Sequence, residues 1–340
     1  MKLNKPFLFV VIALSLFMNG CSQKVRIKAL SPAEVGEMAV KKKVAITEFK
    51  NDRVGLSGKI ESKIASHKLD NKRYFKVLSR KDMSEILDEQ RLQSSELIDE
   101  TTSSKVGKLI GAQAIISGEV ASADADSDYY MEDRERCLKY VKDKGCVKFR
   151  YYRVRCNTIQ AQVSANISVV DVETGLIIYG DAINKEYSAD SCLSTKPIYS
   201  NRQALNRLAS NIADDFVYKL TPHYVYFNVE LLDSIKYDDA TRDDKRKLKF
   251  ALKNIESGRI QKAEMILNSL MDSLNGKSYV VAYDFGVVKE ALGKLDEAQN
   301  LYELADSLTL EPIEEIDEAI SRIAKLINKN EEARRQISAE

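Results

Sequence analysis

The chain has 340 residues, with 52 Lys and Arg against 51 Asp and Glu, a formal charge of +1 and 44% apolar residues. That length suits two modest domains, each with its own core. The near-neutral balance leaves no domain-wide basic excess of the kind that marks a nucleic-acid-binding domain, so nucleic acid is not expected as a partner.

Lys2 and Lys5 precede an apolar run from Phe7 to Phe17, broken only by Ser15, and Met18-Asn19-Gly20-Cys21 closes it. A basic start, an apolar stretch and a small residue before a break describe a secretory signal. About eleven residues are too few to cross a ~30 Å hydrocarbon layer as a helix. With a cysteine directly after Gly20, residues 1–20 resemble a bacterial lipoprotein signal, which implies cleavage before Cys21 and acylation of its thiol. The alternative is an ordinary signal peptide with Cys21 as a spare thiol. Loss of Lys2 and Lys5 with the signal leaves 50 basic and 51 acidic residues, a formal charge of −1. No later segment is long and apolar enough to span a bilayer as a helix. Residues 21–41 read as a lipidated tether with a short ordered piece around Ser31-Pro32, and two or three acyl chains would make that tether stable.

Strands and helices then alternate. Lys43 to Phe49 is a strand with Val44, Ile46 and Phe49 as its apolar members, and a helix with Ile60 and Ile64 on one face follows. Tyr74 to Leu78 is a second strand. Ser79 caps a helix carrying Met83, Ile86 and Leu87. Val106, Leu109 and Ile110 mark a short helix ended by Gly111, and Ala114 to Val120 is a third strand. After a polar insertion, Ala161, Val163, Ala165, Ile167 and Val169 alternate with polar residues as a half-buried strand should. Asp171-Val172-Glu173-Thr174-Gly175 makes a turn, and Leu176 to Tyr179 returns. A long amphipathic helix with Leu205, Leu208, Ile212, Phe216 and Val217 closes the unit. The order predicts a compact α/β sandwich over 42–232 with an insertion at 121–160.

Four cysteines remain besides Cys21, and in an exported chain an even number reads as a disulfide framework with three possible pairings. A hairpin folded about Glu173–Thr174 sets residue 156 opposite 191, so Cys156 and Cys192 come within one residue of facing each other. Cys137 and Cys146 flank Asp143-Lys144-Gly145 and close a small loop. No pair has zinc-ligand spacing, and only His67 and His223 are present to assist, so no metal is expected.

Several segments resemble the curli secretion lipoprotein (CsgG-like) family. They are Val44-Ala45-Ile46 through Phe49, Phe75 to Arg80, Gly107 to Ala112, Ile116-Ser117-Gly118 and Val170 to Gly175. They occur in the family's order and cover about 42–220. The resemblance implies an outer-membrane-anchored periplasmic domain without catalytic residues. Related domains occur in lipoproteins that activate peptidoglycan synthases and in envelope assembly factors. Channel-forming members contribute two amphipathic hairpins per subunit to a shared barrel. Here the first site reads Glu132-Asp133-Arg134-Glu135-Arg136, then Lys139, Lys142 and Lys148, without clean alternation, and the second, near 185–203, contains Pro197. Each Arg or Lys at mid-bilayer costs roughly 2–4 kcal/mol, which argues against a pore.

From about residue 245 the chain reads as helices alone. Gly258 and Gly293 lie 35 apart, as do Ala263 and Ala298, a period that resembles tetratricopeptide repeats. Phe285, Gly286, Ala298, Tyr302 and Ala305 fit the second unit, Leu267 and Leu270 fit the first loosely, and a helix with Ile313, Ile316, Ile320, Ile323 and Ile327 caps a module over 240–330. The expected class is therefore α+β: a CsgG-like α/β sandwich followed by a small all-α helical repeat module.

Asp124, Asp126 and Asp128 with Glu132 and Glu135 have the spacing of a calcium loop, but Tyr129 stands where its sharp turn needs glycine, so a solvated acidic loop is expected. Tyr129, Tyr130, Tyr151 and Tyr152, interleaved with Arg and Lys, suit a recognition surface for protein or glycan, or else cover a stapled sheet. Tyr279 and Tyr283 suit either a peptide groove or the repeat core. Nucleophile-elbow, phosphate-loop and zinc-protease motifs do not occur, and neither histidine has a nucleophile beside it, so neither catalysis nor a cofactor is expected. The residues predict a non-catalytic lipoprotein anchored to the outer membrane at Cys21 and facing the periplasm. It would bind periplasmic or outer-membrane proteins, with a homo-oligomer possible. A secretion-channel subunit and an activator of peptidoglycan synthesis are the alternatives.

Overall fold

The computed structural model describes residues 23–78, 100–192, 198–236, 238 and 240–339. The signal segment, Cys21 and the helix expected from Ser79 through Met83, Ile86 and Leu87 lie outside the described residues. The fold is mixed α and β and divides into two units. One comprises residues 32–223 with 333–340, and the other residues up to 31 with 224–332.

The sheet unit is built on strands β2 (Lys43–Ile46), β5 (Lys76–Val77), β6 (Ala114–Val141), β7 (Gly145–Asp171) and β8 (Ile177–Cys192), in the order β5-β2-β6-β7-β8. β2 runs parallel to both β5 and β6, and β6, β7 and β8 are mutually antiparallel. A two-residue pair, β3 (Lys68–Leu69) with β4 (Lys72–Arg73), stands apart from it. Odd-numbered residues of β7 from Ile159 to Val169 are buried. The helix α4 (Asn201–Leu220) packs on β6, β7 and β8, and α2 (Leu56–Ser66) packs on α4. Ser200 starts α4 with a reciprocal capping box to Gln203, and Phe216 meets Tyr179 at 5.5 Å between ring centres. Each aliphatic side chain buried there contributes about 1.5–3 kcal/mol. Among the described residues, the opposite face is covered at its base, where α3 (Glu100–Ile110) joins Ala45, Val106, Ala112, Ile115 and Val172 in a small core.

The turn after β7 works as its sequence suggests. Asp171 accepts the Glu173 N–H at 3.1 Å and the Thr174 hydroxyl at 3.2 Å, and Lys41 sits 3.0 Å from its carboxylate. These partners hold the Asp171 carboxyl below its usual range despite the opposing effect of burial. The hairpin pairs Val170 with Ile177, which alone would set residue 156 against 191. A bulge then leaves Ile178 unpaired, Val169 pairs with Tyr179, and Cys156 comes to face Cys192 directly.

The second unit begins with β1 (Lys24–Ser31), paired with β9 (His223–Glu230). Residues 21–41 are thus no tether over most of their length: Val25 and Ile27 are buried in alternation with exposed Lys24, Arg26 and Lys28, and a short helix α1 (Gly36–Ala39) follows. Period-2 burial in a basic-apolar alternation was the signal for that strand.

Helices α5 (Arg242–Glu256), α6 (Ile260–Ser273), α7 (Tyr279–Ala291), α8 (Leu295–Ser307) and α9 (Glu314–Ser338) complete it, with α5 packed on α6 and α7 on α8. The two pairs share one geometry at an offset of 35 residues. Gly258 and Gly293 both have positive φ, and the next residue's N–H reaches back five positions, Arg259 to the Asn254 carbonyl at 2.8 Å and Lys294 to that of Lys289 at 2.9 Å. Ala263 and Ala298, Leu267 and Tyr302, and Leu270 and Ala305 are fully buried equivalents.

Between α7, α8 and α9 lies a buried ionic cluster. Glu290 is shielded from solvent, and Arg322 donates to both its oxygens at 3.0 Å while the Tyr302 hydroxyl donates at 2.5 Å. The Tyr302 ring fills the space beside Gly286, where a Cβ would stand 2.6 Å from it.

Two outcomes follow for stability. Gly286→Ala should cost about 1–3 kcal/mol through overpacking against Tyr302, read as a lowered urea midpoint, and no loss would mean the helices part without strain. The His67 Nε2 is buried without a partner, and burial first, then the nearby His223, holds its pKa below 6.5. The folded state therefore prefers neutral His67: that stability is complete above pH 6.5 and is lost as pH falls through the lower folded value. His67→Phe should flatten the loss of thermal stability between about pH 7 and about pH 5, and an unaltered slope would assign it to other groups.

Candidate interaction surface

β6 and β7 pair from Ala114–Asp171 to Val141–Gly145, with register shifts between Val120 and Ser122, between Cys137 and Lys139 and between Lys139 and Tyr140. The sequence at 121–160 was expected to be a polar insertion closed into loops. It is instead one long hairpin, and the aromatics stand on it rather than covering a sheet. Among the described residues, β8 accompanies β7 as far as the Cys156–Cys192 row. Beyond it Met131–Val141 and Gly145–Arg155, eleven residues each, form a two-stranded arm about 36 Å long. The missed signal was β-propensity: Val147, Phe149, Tyr151, Tyr152 and Val154 crowd the return strand, and Asp143-Lys144-Gly145 turns between the two, with Asp143 and Gly145 at positive φ.

Two disulfides brace the arm. Cys137 is bridged to Cys146 with Cα atoms 5.8 Å apart, and Cys156 to Cys192 at 4.0 Å. Their separations of 9 and 36 residues correspond to about 2.7 and about 3.8 kcal/mol of chain entropy removed from the unfolded state. At the root, the Tyr130 hydroxyl donates to Asp190 at 3.1 Å, which with partial burial and that acid's charge raises its pKa. Glu132 approaches Cys156 to 3.4 Å and pairs with Arg134 at 2.7 Å. Glu132, Cys156 and Cys192 converge, but the bridged sulfurs have no thiolate to offer a metal.

Paired residues share a face. Tyr129, under the Arg155 guanidinium at 3.9 Å, lies on the same side as Tyr151, and Tyr130 lies on the side of Tyr152. All four are exposed, from 38% for Tyr152 to 73% for Tyr151. Residues 131–155 hold nine basic and four acidic side chains, and the whole +5 excess falls in 136–150, with six basic residues against Asp143. Leu138, Tyr140, Val147 and Phe149 are exposed among them. Apolar residues on β7 change sides between Tyr151 and Tyr152, so neither face of the arm is apolar throughout.

The other candidates separate from this surface. Asp124, Asp126 and Asp128 are not in a loop: they project from one face of β6 about 6.8 Å apart, too far to converge on a calcium ion. Tyr283 is 1% exposed with its hydroxyl donating to the Glu230 carbonyl at 2.9 Å, at the floor of a cavity of about 370 Å³ shared with Glu315, Glu318 and Arg322, and Tyr279 is half-buried against the same core. His223 accompanies Thr221 and Tyr218, and no nucleophile faces it. In a cleft of about 840 Å³ lined by Leu69, Tyr74 and Phe75, the Lys42 amine is already engaged. It donates to the Ala39 and Gln336 carbonyls at 2.9 and 2.8 Å over the Tyr74 ring, while burial draws its pKa down to about 8.

Replacing Cys137 and Cys146 together by serine should speed amide exchange across 131–155 by about the hundredfold that 2.7 kcal/mol represents, leaving Val163 to Val169 protected. Equal exchange in both forms would show that cross-strand pairing alone holds the arm.

Residues 37–195 match the family model described as the curli production assembly/transport component CsgG. Among solved structures, lipoprotein GNA1162 from Neisseria meningitidis aligns at 14% identity over 52% of this chain and 98% of its own, with a TM-score of 0.29. The PelC dodecamer from Paraburkholderia phytofirmans aligns at 12% identity over 58% and 97%, with a TM-score of 0.25. No curated protein sequence matches the chain. The segment that builds the sheet and raises the arm is thus the part of the chain that the CsgG family model matches.

Proposed function

We propose that this protein is a non-catalytic, outer-membrane-anchored periplasmic assembly factor of a curli-type secretion or envelope system, and that the hairpin arm is its docking element. The observation that carries the reading is the arm itself: a doubly stapled ribbon that buries no core of its own and displays Tyr, Phe, Arg and Lys. Tyr and Arg dominate interface hot spots because they bring large contact area and directed hydrogen bonds at low entropic cost. Disulfides preorganise the arm and so lower the ordering cost of binding. The paired helices of the second unit, which resemble tetratricopeptide repeats, supply a second protein-binding surface. Anchoring is assigned to acylated Cys21.

The family's description as a transport component favours a second reading, a channel subunit whose arm helps wall a barrel. The arm is long enough, but charge on both faces opposes it, because every lipid-facing Arg or Lys at mid-depth costs roughly 2–4 kcal/mol.

A photo-crosslinking residue at Tyr151 should capture discrete protein partners in the native envelope, and Cys21→Ser should release the protein from the membrane while leaving it folded. Conductance across planar bilayers by the purified protein, with no crosslinked partner, would overturn the docking reading in favour of the channel.

A further inference from the structure

The strand pair β1–β9 presents a basic and aromatic face that the docking arm does not use. Alternation along the strands sends Val25 and Ile27 of β1, with Phe227 and Val229 of β9, into the core of the helical unit. Lys24, Arg26 and Lys28 therefore stand on the other face, about 6.8 Å apart, against even-numbered residues of β9. Lys24 pairs with Glu230 at 2.5 Å. The Arg26 guanidinium lies 4.6 Å from the centre of the Tyr226 ring, and the Lys28 amine lies 3.6 Å from that of Tyr224. Tyr226 is 54% exposed. The ribbon lies outside residues 37–195, the part that the family model matches.

Charge on this face is left over. Lys24 is answered by Glu230 and also borders the cavity that Glu315 and Glu318 share. Among the described residues, Arg26 and Lys28 have no ion pair, and a tyrosine ring attracts a cation without cancelling its charge. Both heads keep donors for an anion, and the guanidinium fork fits phosphate oxygens. The sequence carries the same bias. From Cys21 to Ala33 there are three basic residues and no acid, Glu34 being the first. Three peptide steps, about 10 Å, separate Lys24 from Cys21, the residue read as acylated. A face of Arg, Lys and Tyr held that close to acyl chains meets lipid headgroups, the depth at which tyrosine is enriched.

We propose that the outward face of β1–β9 lies on the headgroup layer of the membrane that holds Cys21. Arg26 and Lys28 meet the phosphates of anionic phospholipids, and Tyr224 and Tyr226 sit at headgroup level. The inference rests on the anchored reading above and extends it: the acyl chains fix position, and this face fixes orientation. Acyl chains alone leave a domain free to roll about its attachment, and a basic patch beside them adds a second membrane signal. A protein partner for this face would have to enter the gap of about 10 Å between the first strand and the lipid. A free phosphate ion offers the same group as a headgroup, so the test separates the two.

Fluorescence of the acylated full chain in vesicles tests this. The chain has no tryptophan, so Tyr226→Trp places a single reporter on the face. Its emission should shift to the blue and be quenched by brominated lipid when the vesicles contain phosphatidylglycerol. Pure phosphatidylcholine should give neither effect, and about 500 mM salt should reverse both. Adding Arg26→Gln and Lys28→Gln should lower the seated-to-lifted ratio about thirtyfold, since each cation at an anionic surface is worth a factor of about five. Adding Arg26→Lys and Lys28→Arg instead, which keeps the charge, should preserve the quenching, a result that mere misfolding of the first variant cannot mimic. Inorganic phosphate should lift the face no better than chloride at equal ionic strength. An unquenched reporter, equal quenching in both lipids, no effect of Arg26→Gln with Lys28→Gln, or release specific to phosphate would overturn the inference. Mass spectrometry of Cys21 keeps the two readings apart: an unacylated cysteine sinks the anchor itself, whereas acylation with an unquenched reporter sinks the seated face alone.

Discussion

The antiparallel ladder between β6 and β7 is the constraint on which the sheet unit depends. At its base the ladder has neighbours: β2 beside β6, β8 beside β7, α4 on one face and α3 on part of the other. At its far end it has none among the described residues. A two-stranded ribbon is marginal in water, because each residue surrenders about 1–2 kcal/mol of backbone entropy with little apolar burial in return. Cross-strand pairs return only about 0.2–1 kcal/mol each. The arm persists because its unfolded alternatives are restricted by one disulfide near the tip and another at the last row that β8 reaches. Its charge also answers a structural need. Among the described residues both edges of the ribbon present unpaired backbone groups, and lysine along an exposed edge blocks indiscriminate strand addition.

The second unit solves a different shortage. Two helix pairs are fewer than the three repeats that usually suffice for stability. Here the strand pair β1–β9 and the helix α9 take the place of missing neighbours, contributing Val25, Ile27, Val229, Ile316 and Ile323 to the same core as Leu267 and Tyr302. Glu290 is the specific element within that core. A buried carboxylate is tolerated because Arg322 and Tyr302 saturate its oxygens, and removing one partner would leave a stranded charge, at a cost of several kcal/mol. Arg322 on α9 thereby fixes how α9 meets α7. Asp284, buried and among the described residues hydrogen-bonded only to the Leu232 N–H, is driven towards its neutral form by the same desolvation.

Sequence pattern was informative wherever burial follows period. Val163 to Val169 announced their strand, Leu208, Ile212 and Phe216 their helix, and the 35-residue echo of Gly258 and Gly293 two equivalent turns. It failed where a strand buries neither face. The arm alternates nothing consistently, so the period-2 signal that identifies a half-buried strand is absent between Met131 and Arg155, and charge masked the β-propensity of Phe149, Tyr151 and Val154. The acidic face was invisible for a related reason. Asp124, Asp126 and Asp128 read as a loop until register set them beside Glu186 and Asp190, more than fifty residues away along the chain. The bulge at Ile178, which moves Cys192 by one position, leaves no mark in composition at all.

The strand β1 alters what an anchor at Cys21 would mean. A tether of some twenty residues reaches about 70 Å, enough for a freely ranging domain. Because β1 begins at Lys24, only three peptide steps separate Cys21 from ordered structure, a reach of about 10 Å. An acylated Cys21 would then hold the helical unit against the lipid surface by its first strand. Encounters with other envelope proteins would be confined to two dimensions, where effective concentrations are high. Under that confinement individually weak contacts suffice, and those of an exposed, salt-screened cationic arm tip are of that kind. A short anchor and a long charged arm are therefore mutually consistent: the first would bring the protein to one plane with its partners, and the second would offer a contact that works between molecules already side by side.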